Sequence, residues 1–365
     1  MAKKPKFYRL DAILGYNAHY NVIIGERSNG KTFAVLEYAL KQYCENGGQL
    51  AIVRRWNEDL RGKTAAQVFD NLVEQGLIEK YTGGQWSFVH YFSGRWYLAR
   101  EDENGDRITD STPFAFRFAI TSVEHDKSSA YPNIRTVLFD EFIASGSYLP
   151  DEFVKFMNVL STIIRHRNDV KIFMVGNTIS KFCPYFAEMG LSNIKRMKPG
   201  TIDIYTYGDS DLRVAVEFSD FPAKRKDSDV YFGFNNPKLG MITGSGSIWQ
   251  LEIYPHSPTK WKPKDVVFQY FVKFDDETLQ CEVIDTGDGN PFIFVHTKTT
   301  PIKNPEYDLV YTTEFDVRQN WRRNILKPVY PIEEKILKLH RMEKVFYQSN
   351  EVGEIYTQYL KFCKG

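Results

Sequence analysis

Over the first 200 residues, short apolar runs alternate with longer stretches of helical periodicity. The run Tyr20–Ile24 stops at Gly25, and a helical pattern follows from Lys31 to about Tyr43. Gln49–Val53 predicts a second strand, closed by Arg54 and Arg55. Residues 64–79 read as helical, and Gln85–Arg100 as a β-hairpin turning at Ser93 and Gly94. Ile134–Phe139 is a buried-strand pattern ending in Asp140 and Glu141. Asp151–Arg165 fits an amphipathic helix with Phe153, Phe156, Met157, Leu160 and Ile164 on one stripe. Lys171–Val175 is a further strand, leading into Gly176, Asn177 and Thr178. Fully apolar strands alternating with helices predict an α/β fold, a mostly parallel sheet with helices on both faces.

The pattern breaks near residue 200. Pro, Gly, Ser and charged residues dominate from 201 to 262, as in PAKRKDSD and MITGSGS. Three strand-like runs then follow at 266–274, 279–285 and 292–297, joined by good turns, which predict an antiparallel meander. Helical patterns come near 316–325, 332–346 and 351–362. A length of 365 residues exceeds one average domain. The expected division is therefore 1–200, a small linker domain at 201–262, and an α+β or α/β domain at 263–365.

Composition narrows the class without naming a function. The hydrophobic fraction of 42% and the charged fraction of 25% are those of an ordinary globular protein. Cys44, Cys183, Cys281 and Cys363 form no CxxC pair, and the histidines show no metal-binding spacing, so a disulfide framework or zinc site is not expected. No apolar run approaches a membrane span, and the first residues lack a signal-peptide core, so the chain is expected in the cytosol. A net charge of +1 does not announce a nucleic-acid binder. Any grip on DNA phosphates must be local, and Lys195-Arg196-Met197-Lys198, Lys224-Arg225-Lys226 and Arg322-Arg323 are candidates beside their reading as solvated faces.

One stretch carries specific chemistry. GERSNGKT, from Gly25 to Thr32, satisfies GxxxxGK[ST] in full. In such a loop the backbone of Gly25, Glu26, Arg27, Ser28, Asn29 and Gly30 curls so that its amides face phosphates, at the positive end of a helix. Lys31 can reach the β- and γ-phosphates of ATP, and the Thr32 hydroxyl can ligate Mg²⁺. The strand before and the helix after argue against an ordinary Gly-rich turn. Asp140 ends a buried strand, as a carboxylate serving Mg²⁺ does, and Glu141 is placed to activate water for attack on the γ-phosphate. That second acid favours hydrolysis over transfer to a bound alcohol. Asn177 is either a contact to the γ-phosphate or attacking water, or a turn-forming residue. Arg165-His166-Arg167 closes the 151–165 helix, either as cations at a helix end or as an arginine finger reaching a neighbouring subunit. Arg54 and Arg55, on the same sheet edge as the loop, suggest a nucleotide-site or interface role.

Four blocks, VIIGERSNGKTFAV, AIVRRWNEDL, DKSSAYPNIRTVLFDEFI and FMNVLSTIIRHRNDVKIFMVGNT, lie in order over residues 20–180. Together they resemble the DNA-packaging ATPases of small tailed phages of the phi-twenty-nine type. The AYPN segment before Asp140 is more distinctive than the phosphate loop, and beyond residue 200 the similarity is one of layout. The resemblance implies an additional-strand (ASCE) P-loop ATPase domain, a linker domain and an RNase H-like domain that has lost nuclease catalysis. It also implies an ATP- and Mg²⁺-dependent motor, a homopentameric ring on the portal of the procapsid in the host cytoplasm. Double-stranded DNA would be its cargo, and in some relatives a structural RNA is a partner. By the same match Lys31 and Thr32 are loop residues, Asp140 the metal carboxylate, Glu141 the catalytic acid and Arg165 the finger acting in trans. Lys127 is either a second trans contact or a solvated lysine. Other phosphotransferases, or a non-catalytic nucleic-acid-binding protein, are the alternatives. The strand 266–274 contains no acid, which predicts that nuclease chemistry is absent.

Overall fold

The computed structural model describes residues 7–125, 130–144, 148–177, 183–221, 254–257 and 259–364. It divides into two compact units, the first from described residues of Met1–Ala144 and Asp151–Asp227, the second from those of Ser145–Pro150 and Ser228–Gly365.

The first unit is built on a sheet of ten strands. In chain order they are β1 (Tyr20–Gly25), β2 (Gln49–Arg54), β3 (Phe88–Phe92), β4 (Arg95–Glu101), β5 (Arg107–Thr109), β6 (Ala115–Ala119), β7 (Ile134–Asp140), β8 (Lys171–Asn177), β9 (Thr201–Thr206) and β10 (Arg213–Phe218). The order across the sheet is β3-β4-β6-β2-β7-β8-β1-β10-β9, with β5 on β4. From β6 to β10 every neighbouring pair is parallel. β8 thus stands between the strand that feeds the phosphate loop and the strand that ends in Asp140, which is the additional-strand arrangement. The central strands are apolar on both faces, with Val22, Ile23, Ile24, Leu50, Val53, Val137, Phe139 and Phe173 all fully buried.

Helix α1 (Asp11–Leu14) precedes β1, and α2 (Lys31–Asn46), α3 (Gly62–Ala66), α4 (Asp70–Glu74), α5 (Leu77–Thr82), α6 (Glu152–Ile164) and α7 (Pro184–Glu188) lie between strands. Residues 64–79, read as helical, fall in three short helices, and Gly76, with a left-handed φ of 65°, makes the break between α4 and α5. The buried stripe of α6 is also not the predicted one. It runs through Glu152, Phe156, Val159, Leu160 and Ile163, leaving Met157 exposed and Phe153 and Ile164 half-buried. This helix is apolar on more than one side, and the ion pair of Glu152 with Arg55 fixes which side turns inward.

The sequence-based boundary at residue 201 also requires correction. β10 pairs in parallel with β1, and β9 pairs antiparallel with β10, so 201–218 complete the first sheet. The partner strand lies almost two hundred residues earlier, so no local pattern reveals it. The expected linker beyond 221 lies mostly outside the described residues, as do Lys224, Arg225 and Lys226.

The second unit holds β11 (Val266–Phe274), β12 (Glu277–Ile284), β13 (Phe292–Thr297), β14 (Val310–Thr312), β15 (Trp321–Arg322) and β16 (Val345–Tyr347), in the order β15-β14-β11-β12-β13-β16. β11, β12 and β13 form the expected meander, and β14 joins β11 in parallel. Helices α8 (Pro331–Arg341) and α9 (Asn350–Lys364) pack on it. Residues 316–325 are not helical: β15 lies there, and Asp316 and Arg318 are locked in a local ion pair. The predicted helix 332–346 ends at Arg341, and Val345–Tyr347 instead extends the sheet beside β13.

Candidate active site

The phosphate loop leaves β1 at Gly25 and enters α2 at Lys31. The turn requires left-handed backbone at Ser28 (φ 62°) and Gly30 (φ 97°). A side chain at Gly30 would be strained by that backbone, although an added Cβ would meet Phe7 at an ordinary contact distance of 3.5 Å. Lys31 is 3% exposed, and its ammonium donates to the carbonyls of Gly25 (3.2 Å) and Glu26 (2.6 Å) and to Asn29 Oδ1 (3.0 Å). Burial lowers its pKa to about 8, against the opposing pull of Asp140 and Glu26.

Asn29 is buried for a second reason. Its amide group donates to Ser219 Oγ (3.4 Å) and to the Phe221 carbonyl (3.3 Å), just beyond β10. The Tyr8 N–H donates to the Asn29 carbonyl at 3.2 Å, and the Tyr8 hydroxyl donates to Glu217 at 2.7 Å. Burial pushes the Glu217 carboxyl up to about 7, partly offset by that hydroxyl.

The carboxylates converge from β7. Thr32 donates its hydroxyl to Asp140 Oδ1 at 3.0 Å, and Arg54 Nη2 donates to Asp140 Oδ2 at 2.7 Å. The other end of the same guanidinium pairs with Glu141 Oε2 at 2.7 Å. Burial holds the Asp140 carboxyl above the usual carboxylate range, while Arg54 and Thr32 pull it back. Glu141 sits at φ 58°, a left-handed turn at the strand end that sets its half-exposed side chain apart from that of Asp140.

Arg55 works on the opposite side. It binds Glu152 through two bonds of 2.8 Å and also donates to the Phe142 carbonyl at 2.9 Å. Tyr185 donates its hydroxyl to Glu152 at 2.8 Å. A buried pair satisfied in this way fixes the main chain just after Glu141. The two arginines diverge because successive residues at a strand end point to opposite faces.

Asn177 ends β8, with Oδ1 3.4 Å from Lys31 Nζ. Gly176 before it lets Phe142 and Ile143 approach, since a Cβ there would lie 2.8 Å from both side chains. A cavity of about 670 Å³ is lined by Arg27 to Phe33, Asp140, Glu141, Val175 to Asn177 and Phe7, with Asn71, Glu74 and Gln75 of the α4 region on one wall. It brings together Lys31, Thr32, Asp140, Glu141 and Asn177. Arg165 is not among its lining residues: it lies at the far end of α6 from Glu152, about 20 Å along the helix. Lys127 and Thr178 lie outside the described residues. Sequence reasoning missed Tyr8, Glu152, Glu217 and the α4 wall, for which only their burial or position in space is a signal.

The residues fit a magnesium nucleotide. A buried carboxylate and a hydroxyl already share one hydrogen bond, beside an ammonium held by loop carbonyls that phosphate oxygens can replace. The profile of the podovirus DNA encapsidation protein (Gp16) family matches residues 2–301. The chain belongs to that family. Among Gp16-type relatives, the DNA packaging protein of Bacillus phage phi29 is 28% identical over 186 residues, 50% of this chain and 50% of that protein. The DNA packaging protein of Bacillus phage B103 is 25% identical over 182 residues, 49% of this chain and 50% of that one. The matched stretch thus spans about half the length of these relatives. In fold, this Gp16-family chain is similar to a chain of the phi-28 gp11 DNA packaging motor, with TM-score 0.53 and 20% identity over 98% of both. It is also similar to one of the bacteriophage phi-29 genome packaging motor assembly, with TM-score 0.55 and 21% identity over 98% of this chain and 99% of that one.

Proposed function

We propose that this chain is an ATP-hydrolysing motor that drives double-stranded DNA into a preformed phage capsid, acting as a ring, a homopentamer, at the portal. The single observation that carries the reading is the meeting of Lys31, Thr32, Asp140 and Glu141 in one cavity, within a chain of the DNA encapsidation family. Thr32 and Asp140 would hold Mg²⁺, which supplies charge neutralisation of the phosphates. Lys31 exchanges the carbonyls of Gly25 and Glu26 for phosphate oxygens. Glu141 takes the proton of the attacking water, and Asn177 orients the γ-phosphate end. Arg54 bridges the two carboxylates and so ties the position of Glu141 to that of Asp140.

Arg165 acts on the nucleotide of a neighbouring subunit. That Arg165 does not line the cavity of its own subunit supports that role. Lys127 is a second candidate for it. The portal, the procapsid and a structural RNA are the proposed partners, in the host cytoplasm. The second unit is proposed as an RNase H-like domain without nuclease activity. Among the described residues no three His, Cys, Asp or Glu side chains gather to hold an ion, and no helix is long and apolar enough to cross a membrane.

The test is ATP turnover against protein concentration, with and without double-stranded DNA, for wild type and Arg165→Ala. A specific activity that rises with concentration and DNA, and that collapses in the variant while ATP still binds, is expected. Activity indifferent to concentration, DNA and Arg165 would return the case to another P-loop enzyme. Transfer of labelled phosphate to a small alcohol would do the same.

A further inference from the structure

The last turn of α6 ends in an unusual piece of backbone. Arg165 is exposed and takes φ 53° and ψ −117°, a conformation that residues with a Cβ avoid. Such an outlier persists only where its surroundings hold it. The holding group is two residues on. Arg167 donates its Nε to the Ile164 carbonyl (3.3 Å), Nη2 to those of Ile163 (2.8 Å) and Tyr131 (3.1 Å), and Nη1 to those of Pro132 (2.9 Å) and Ile134 (2.7 Å). A guanidinium has five N–H donors, and here each meets a main-chain oxygen.

These acceptors come from two separate segments. Ile163 and Ile164 belong to the last turn of α6, where carbonyls lack helical donors. Tyr131, Pro132 and Ile134 lead into β7, the strand that carries Asp140 at its other end. The Tyr131 ring packs edge-on against Phe116 and Phe118 of β6, so that segment is itself fixed to the sheet. A cation serving only the helix end would use one or two carbonyls, and a lysine would do as well. The fork found here needs arginine.

We infer that Arg167 is the positioning residue of the Arg165 finger. It ties the strained turn to the start of β7 and so fixes where Arg165 stands on the subunit surface. The inference rests on the reading of Arg165 as acting in trans. Misplacing a transition-state cation by about 1 Å costs about a hundredfold in rate, which sets the expected loss on removing Arg167.

Full-length Arg167→Ala, Arg167→Lys, Arg165→Ala and Lys31→Ala are assayed for DNA-stimulated ATP turnover, alone and mixed in equal amounts before assembly. ATP binding and thermal unfolding are followed on each. Arg167→Ala and Arg167→Lys should lose turnover about a hundredfold with ATP affinity intact. Both should recover when mixed with Lys31→Ala, which brings an intact finger to their intact phosphate loops. Should Arg167→Ala fail to fold, Arg167→Lys, which keeps the charge and loses the fork, decides the question. Wild-type turnover in the Arg167 variants overturns the inference. So does a defect that mixing leaves in place while Arg165→Ala is rescued, since Arg167 would then serve its own subunit. If Arg165→Ala is not rescued either, the trans reading has failed first.

Discussion

At the carboxyl ends of its central strands the first sheet buries charges: Lys31, Asp140, Arg55 and Glu152 are all less than 8% exposed. In the second unit the polar core is mostly hydroxyls, with one deeply buried carboxylate beside them among the described residues. Tyr270 and Tyr356 share a hydrogen bond of 2.9 Å between hydroxyls, and His340 Nε2 lies 2.7 Å from the Tyr356 hydroxyl. Its buried carboxylate among the described residues, Glu333, caps the start of α8 through the N–H of Tyr330 at 3.3 Å. Neutral groups satisfied in pairs cost little to bury, whereas ions cost several kcal/mol each and persist where their charge is used. The clustering of both signs of charge supports the proposal that the chemistry belongs to the first unit.

The largest effects should come from breaking the charged set. Lys31→Ala or Glu141→Gln should lower ATP turnover by about a thousandfold, with Glu141→Gln still binding ATP, as phosphate release and nucleotide binding would show. A Glu141→Gln enzyme with near-normal turnover would remove that residue from its role.

Arg54→Ala comes next, with an expected loss of about tenfold. Arg54 lowers the Asp140 carboxyl against its burial, so its removal lets that pKa rise further. If Asp140 holds Mg²⁺ as proposed, its protonation removes that ligand, and the acid limb of the pH–rate profile should move to higher pH. An unmoved limb would mean that Arg54 does not govern Asp140 in the working enzyme.

A smaller effect concerns Lys31, whose pKa is lowered to about 8. Phosphates favour its charged form, so above pH 8 ATP binding must take up a proton. ATP affinity should fall up to tenfold per pH unit from there, and flat affinity between pH 7.5 and 9.5 would count against Lys31 as the phosphate contact. The smallest change is on the other side of the comparison. Tyr356→Phe should cost about 1 kcal/mol of stability in the second unit and leave turnover within about twofold.

The turn from β1 into α2 was legible because its motif is local: eight consecutive residues, Gly25 to Thr32, form it. Asp140 and Glu141 were legible as acids at the end of a buried run. β9 and β10 were not, since the partner of β10 is β1 and the turn between them looked like linker. The distinct jobs of Arg54 and Arg55 follow from strand alternation, but their partners, the two carboxylates and Glu152, lie about 90 residues away and come together only in the fold. Glu152 itself looked like any first-turn acid of a helix, and burial alone marks it out.

One consequence of β10 is mechanical. It is the last described strand before the chain leaves the first unit, and Val214–Phe218 lie in register with Tyr20–Ile24. The Ser219 N–H continues the ladder to the Ile24 carbonyl at 2.8 Å, and Asn29 grips Ser219 and Phe221 beyond it. Ladder bonds lie across the strands, so a pull along β10 loads them together in shear instead of unzipping them in turn. β10 is thereby anchored along its length to β1, the strand that ends in the phosphate loop.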